Sequence, residues 1–166
     1  MERELDHVGR IMAQWHAERP GLDVSPMAVI GRLNRLSLQI TDELVALYAE
    51  FGLGEGDFDV LATLRRAGPP YELTPGGLAD TTMVTSGAIS KRVDRLAERG
   101  LVTRRVSDAD ARGRLIALTP AGIDLIDRAF EAHLANEQRL IAGLTELERT
   151  RLANLLDTWG RSLYGV

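Results

Sequence analysis

Between residues 85 and 119 of this 166-residue chain, hydroxyl, small and cationic side chains recur at spacings suited to hydrogen bonding rather than bond breaking. Ile89, Val93 and Leu96 fall at i, i+4 and i+7, the apolar stripe of a helix. The rest of that helix carries Ser86, Gly87, Ala88, Ser90, Lys91, Asp94 and Arg95. Thr85 or Ser86 supplies an N-cap oxygen, and Gly100 stands where a left-handed residue would end the helix. Small residues at a helix N-terminus let the backbone approach base edges in a major groove, while Ser, Lys and Arg supply hydrogen bonds. Leu101, Val102 and Val106 then read as one short strand, and Leu115, Ile116 and Leu118 as another. The polar turn between them, from Ser107 to Arg114, makes a hairpin with a charged tip. A solvated helix beside an ordinary hairpin would have much the same composition, so charge has to decide.

The whole chain has 20 Lys and Arg against 24 Asp and Glu, a net of −4. Residues 85–114 hold eight positive and four negative side chains, a local +4, which leaves −8 for the remainder. A basic block within an acidic chain is the electrostatic footprint of a nucleic-acid partner. Other chemistries find little support. With no cysteine, disulfides, thiolate metal sites and sensing by cysteine oxidation are excluded. His7, His16 and His133 lack ligand spacing, so they read as surface residues and no metal or cofactor is expected. There is no G-x-S-x-G, P-loop or G-x-G-x-x-G, the carboxylate pairs lie on polar helix faces, and no catalytic constellation emerges. No run of about 18 apolar residues could span a bilayer and the N-terminus is charged, so a soluble cytoplasmic protein without a membrane partner is expected.

The elements that must position this helix and hairpin are mostly helical. Leu5, Val8, Met12 and Trp15 recur at helical spacing up to Pro20 and Gly21. Ser25 and Pro26 form a cap and first-turn pair for a long helix through Ile30, Leu33, Ile40, Leu44, Leu47 and Phe51, an alternation that seeks a partner helix. Gly54 to Ala67 is a shorter helix ended by Gly68, Pro69 and Pro70. Thr74 and Pro75 open another, joined by residues 81–84 to the reading helix as a helix-turn-helix. Thr119 and Pro120 start a helix interrupted only by Glu137 in its apolar stripe; Thr145 and Glu148 form a capping box for the last one. The terminal helices carry more apolar surface than the small winged lobe could cover, which predicts a two-fold homodimer offering two reading helices to a palindromic duplex.

With long helix, helix-turn-helix, wing and long helices in this order, the chain closely resembles the MarR family of winged-helix transcriptional regulators over nearly its full length. The wing signature is Asp110-Ala111-Arg112, followed by Leu118-Thr119 and Gly122, preceded by LAERGLVTR at 96–104. The resemblance implies that Arg112 reaches the minor groove and that Asp110 holds the wing's shape. Ala111 and Asp108 depart from the Arg and Pro of many members, which lowers the expected minor-groove affinity unless Arg114 substitutes. The added N-terminal helix and the string AQWHAERPGLDVSPMAVIGRL are similar to the urate-responsive, PecS-like branch. That likeness implies a ligand site of Trp15, Asp59, Arg92 and Arg104. Indole, carboxylate and guanidinium suit a flat purine anion by stacking, hydrogen bonding and charge.

The resulting expectation is a mainly α protein with a small β-hairpin wing. In it, one domain comprises a winged helix-turn-helix at 53–119 between helical dimerisation regions at 1–52 and 120–166. Thr85, Ser86, Gly87, Ala88, Ser90, Lys91, Arg95, Arg112 and Arg114 are the expected contacts to a double-stranded operator. A repressor released by a small anionic effector such as urate is the expected function, with phenolic or other organic anions as the alternative effectors. A winged-helix module for protein association is the reading from another class.

Overall fold

A computed structural model describes residues 4–81, 86–106 and 114–165, with backbone alone described at 86–88 and 164. The chain forms two compact units, Met1–Val45 and Ala46–Val166. In the first, Asp6 accepts the Gly9 N–H at 2.7 Å and opens α1 (His7–Glu18). Gly31 of α2 (Met27–Glu50) lies against Val8, and a β-carbon there would stand 3.0 Å from Val8 Cγ1, so the bare backbone is what permits the close approach. Arg32 Nε and Nη2 bind the two Asp6 carboxylate oxygens at 2.8 and 2.9 Å, which holds the Asp6 carboxyl below the usual range.

In the second unit, α3 (Glu55–Arg66) begins with Asp57 Oδ2 accepting the Gly54 N–H at 3.2 Å. Residues 68–71 turn through a cis Pro69–Pro70 bond into β1 (Glu72–Leu73), a strand too short for periodicity to announce. Thr74 Oγ1 then accepts the Gly77 N–H at 3.0 Å and starts α4 (Pro75–Thr81). The next helix, α5 (Ser86–Glu98), closes as its spacing predicts: Gly100 adopts φ +70° and the Leu101 N–H returns to the Leu96 carbonyl at 3.0 Å.

The hairpin comprises β2 (Val102–Val106) and β3 (Arg114–Leu118), antiparallel with Arg104 opposite Ile116. It is not a free hairpin: β1 pairs with the other side of β3, Leu73 opposite Ile116, giving a three-stranded sheet in the order β1-β3-β2. Thr119 caps α6 (Pro120–Leu140), and Thr145 with Glu148 caps α7 (Glu146–Tyr164), both as the sequence indicates. Gly122 in the first turn of α6 sits on the Leu101 carbonyl, where a β-carbon would overlap the oxygen.

The core lies among α3, α4, α5, α6 and the sheet, with Leu61, Leu64, Leu78, Leu96 and Ile126 at most 1% exposed. Each such side chain contributes roughly 1.5–3 kcal/mol by leaving water. Leucines of α7 are less covered: Leu152, Leu155, Leu156 and Leu163 share its length at exposures from 43% to 67%. No helix among the described residues is long and apolar enough to cross a membrane.

Candidate nucleic-acid interface

Helix α5 is held by its apolar stripe. Ile89, Val93 and Leu96 are 3%, 1% and 0% exposed, packed where α3, α4 and β2 meet the helix. Burying that stripe turns Ser90 and Lys91 to solvent. Ser86, Gly87 and Ala88 occupy the first turn of α5, their side chains outside the description; Thr85 and Arg112, like Asp108, Asp110 and Ala111, lie outside the described residues. Arg114 is exposed at the start of β3.

Among the described residues, four of the eight cations in the block are engaged within the fold. Arg95 Nη2 and Nε reach Asp57 Oδ1 and Oδ2 at 2.5 and 3.3 Å. That hydrogen-bonded pairing raises the Arg95 pKa further. Arg104 Nη2 lies 2.7 Å from Asp94 Oδ1, bridging β2 to α5. Arg105 forks onto Glu72 of β1, and Arg99 Nη1 donates to the Gly52 carbonyl at 2.9 Å. Exposed pairs such as Arg104–Asp94 are worth little in stability. The Arg95 pair differs, because Asp57 is a carboxylate only 3% exposed.

The residues expected to bind a ligand are distributed as follows. Trp15, on α1 in the first unit, is 46% exposed. The other three belong to the second unit. The Arg92 guanidinium lies against Gly56 of α3, so closely that a β-carbon on that glycine would overlap Cζ. Arg92 Nη1 is buried and has no hydrogen-bond partner among the described residues. Gly56 and Asp59 are three residues apart and share a face of α3. Arg104 and Arg114 line a hollow of about 190 Å³ with Ser90, Val93, Pro75 and Ile116, below the 300–1,000 Å³ of ordinary small-molecule clefts.

Several polar arrangements have no local signal in the sequence. His133 is corrected from surface residue to a largely buried one, its side chain 14% exposed: Nδ1 is 3.1 Å from Tyr48 Oη and Nε2 3.2 Å from Glu137 Oε1. Glu137, the break in the α6 stripe, is explained by this contact. Tyr48 stacks on Phe58 at 4.1 Å between centroids, and its phenol is pushed up to about 12 by burial, then by Glu137, Glu55 and Asp59. Arg65 binds Asp127 at 2.7 and 3.1 Å and covers the Tyr71 ring at 4.8 Å, joining α3 to α6. Among the described residues no group of three or more His, Asp or Glu could hold a metal ion.

Two short helices, the second presenting polar residues to solvent, followed by a paired wing, define a winged helix-turn-helix DNA-binding protein. Residues 51–113 match the sequence model of the MarR family. The HTH-type transcriptional regulator PecS of Dickeya dadantii is 40% identical over 156 residues, covering 94% of this chain and 93% of that one. The crystal structure of a mutant MarR from E. coli complexed with operator DNA superposes with a TM-score of 0.68 at 25% identity, over 87% of this chain and 96% of that one. Sco3205 of Streptomyces coelicolor, solved with DNA, shares the fold at a TM-score of 0.76 and 22% identity, over 86% and 93%. The chain belongs to the MarR family, and is a DNA-binding transcriptional regulator rather than an enzyme.

Proposed function

We propose that the protein is a homodimeric repressor, bound to a pseudo-palindromic operator and released when a small urate-like anion engages Trp15, Asp59, Arg92 and Arg104. The observation that carries the effector is Arg92. Its Nη1 is a buried cationic donor without a partner among the described residues, an arrangement that costs roughly 1–3 kcal/mol and that an anion would relieve. Asp59 lies one turn along α3 from the glycine on which Arg92 rests, within reach of the donors of a purine. Arg92 belongs to α5, so an anion that recruits it acts directly on the DNA-reading helix. A ligand that prefers the shifted helix lowers operator affinity by linkage. The likeness to PecS over 94% of the chain supports the same branch.

The lobe at 53–119 reads DNA through Thr85, Ser86, Gly87, Ala88, Ser90, Lys91, Arg112 and Arg114. The helices at 1–52 and 120–166 form the dimer. Open leucines along α7 and exposed Phe130, Leu134 and Ile141 at and beyond α6 support that pairing, since stripes of this size find a partner in soluble proteins. The test is an electrophoretic shift of the protein's own upstream region, titrated with urate, xanthine and salicylate. Urate is expected to release wild type and to leave Arg92→Ala bound. Release by salicylate alone would move the assignment to phenolic anions, and sedimentation as a monomer at micromolar concentration would overturn the dimer.

A further inference from the structure

We infer that Arg95 is a positioning residue that orients the recognition helix through Asp57, rather than a contact to DNA. Three observations converge on it. Asp57 is buried at 3% exposure, on the first turn of α3, while Arg95 remains 54% exposed at its side chain, so the pair is anchored from the α3 side. Both Asp57 oxygens are occupied: Oδ2 accepts the Gly54 N–H and Arg95 Nε, and Oδ1 accepts Arg95 Nη2. The guanidinium fork therefore joins the start of one helix to the last turn and a half of another, at two donors that fix angle as well as distance.

The neighbouring position repeats the arrangement. Arg92, three residues earlier on α5, is received by Gly56, adjacent to Asp57. The first turn of α3 thus seats two arginines of the recognition helix, one on a bare backbone and one on a carboxylate. A buried carboxylate left unpaired is costly. Turning Arg95 outward to a phosphate would strand Asp57, whereas leaving it in place holds the face of Ser90 and Lys91 at a set angle to the duplex.

The inference rests on the family's DNA-binding role and not on the effector. Its test is a double-mutant cycle on a duplex selected from random sequence by the wild-type protein, with thermal melts confirming that each variant is folded. Arg95→Ala and Asp57→Asn are each expected to weaken binding about tenfold, the double variant no further than the weaker single, as for residues acting through one contact. Arg95→Lys, which keeps the charge and loses the fork, is expected to be nearly as weak as Arg95→Ala. The slope of log affinity against log salt stays at the wild-type value. Losses that multiply, rescue by lysine, or a slope reduced by about 0.9, the signature of one lost phosphate contact, would each overturn it. Failure of the wild type to select any duplex would instead remove the DNA-binding reading.

Discussion

At the scale of single residues, Gly56 and Tyr48 give the sharpest expectations. A β-carbon on Gly56 would overlap the end of the flexible Arg92 side chain rather than backbone, so Gly56→Ala should displace the guanidinium without breaking the helix. Alanine is favoured over glycine inside a helix by up to about 1 kcal/mol. The variant is therefore expected to melt at or above the wild-type temperature and, on the proposed reading, to lose the response to urate in the shift assay. A melting temperature several degrees lower would show that the Arg92 seat serves stability instead. Tyr48 gives a pH dependence with a definite sign. Its phenol ionises at 10.0 in the unfolded chain and about 12 in the fold, so the neutral form is favoured by folding. That contribution is whole below pH 10 and is lost as pH rises to about 12. Ultraviolet titration should show a late tyrosine step, and Tyr48→Phe should remove it.

At the scale of elements, the joint between wing and α6 depends on Gly122. Here the obstacle to a β-carbon is the Leu101 carbonyl, a backbone atom that cannot swing aside. Gly122→Ala should cost about 1–3 kcal/mol, as overpacking does, read as a lower denaturant midpoint at unchanged slope. Thr119 and Pro120, Gly100, and the pair Thr145 with Glu148 are legible in the sequence because a cap is decided by residues within four positions of each other. The stripe Ile89, Val93 and Leu96 is legible for the same reason. What escapes the sequence is non-local. Two residues of β1 have no period, and only pairing with Ala117 and Ile116 makes them a strand. Asp57 and Arg95 are 38 positions apart, Tyr48 and His133 85. Nothing near Arg95 or His133 distinguishes them from solvent-facing neighbours, so spacing alone reads one as a DNA contact and the other as surface.

At the scale of the whole molecule, an acidic chain of net −4 must bind a polyanion through a small cationic area. Arg95, Arg99, Arg104 and Arg105 have partners within the fold, and Arg92 is directed inward. On the proposed reading Lys91, Arg112 and Arg114 are left as the direct contacts, six cations in the proposed dimer. Such a dimer should show a salt slope of about −5, against about −14 if all eight cations of each protomer met phosphate. Fluorescence anisotropy across a range of salt concentrations distinguishes the two, and the steeper value would mean that the internal pairs open on DNA.

The adjacency of Gly56 and Asp57 has a consequence for the order of events at the operator. The two residues seat arginines only one helical turn apart, so whatever moves one is felt by the other. Coupling between two binding events is reciprocal by thermodynamic necessity. If an anion that captures Arg92 weakens the grip on DNA by some factor, the operator weakens the grip on that anion by the same factor. Effector would then be held most tightly by protein already in free solution, and operator and effector would compete for the same protein in proportion to that shared factor.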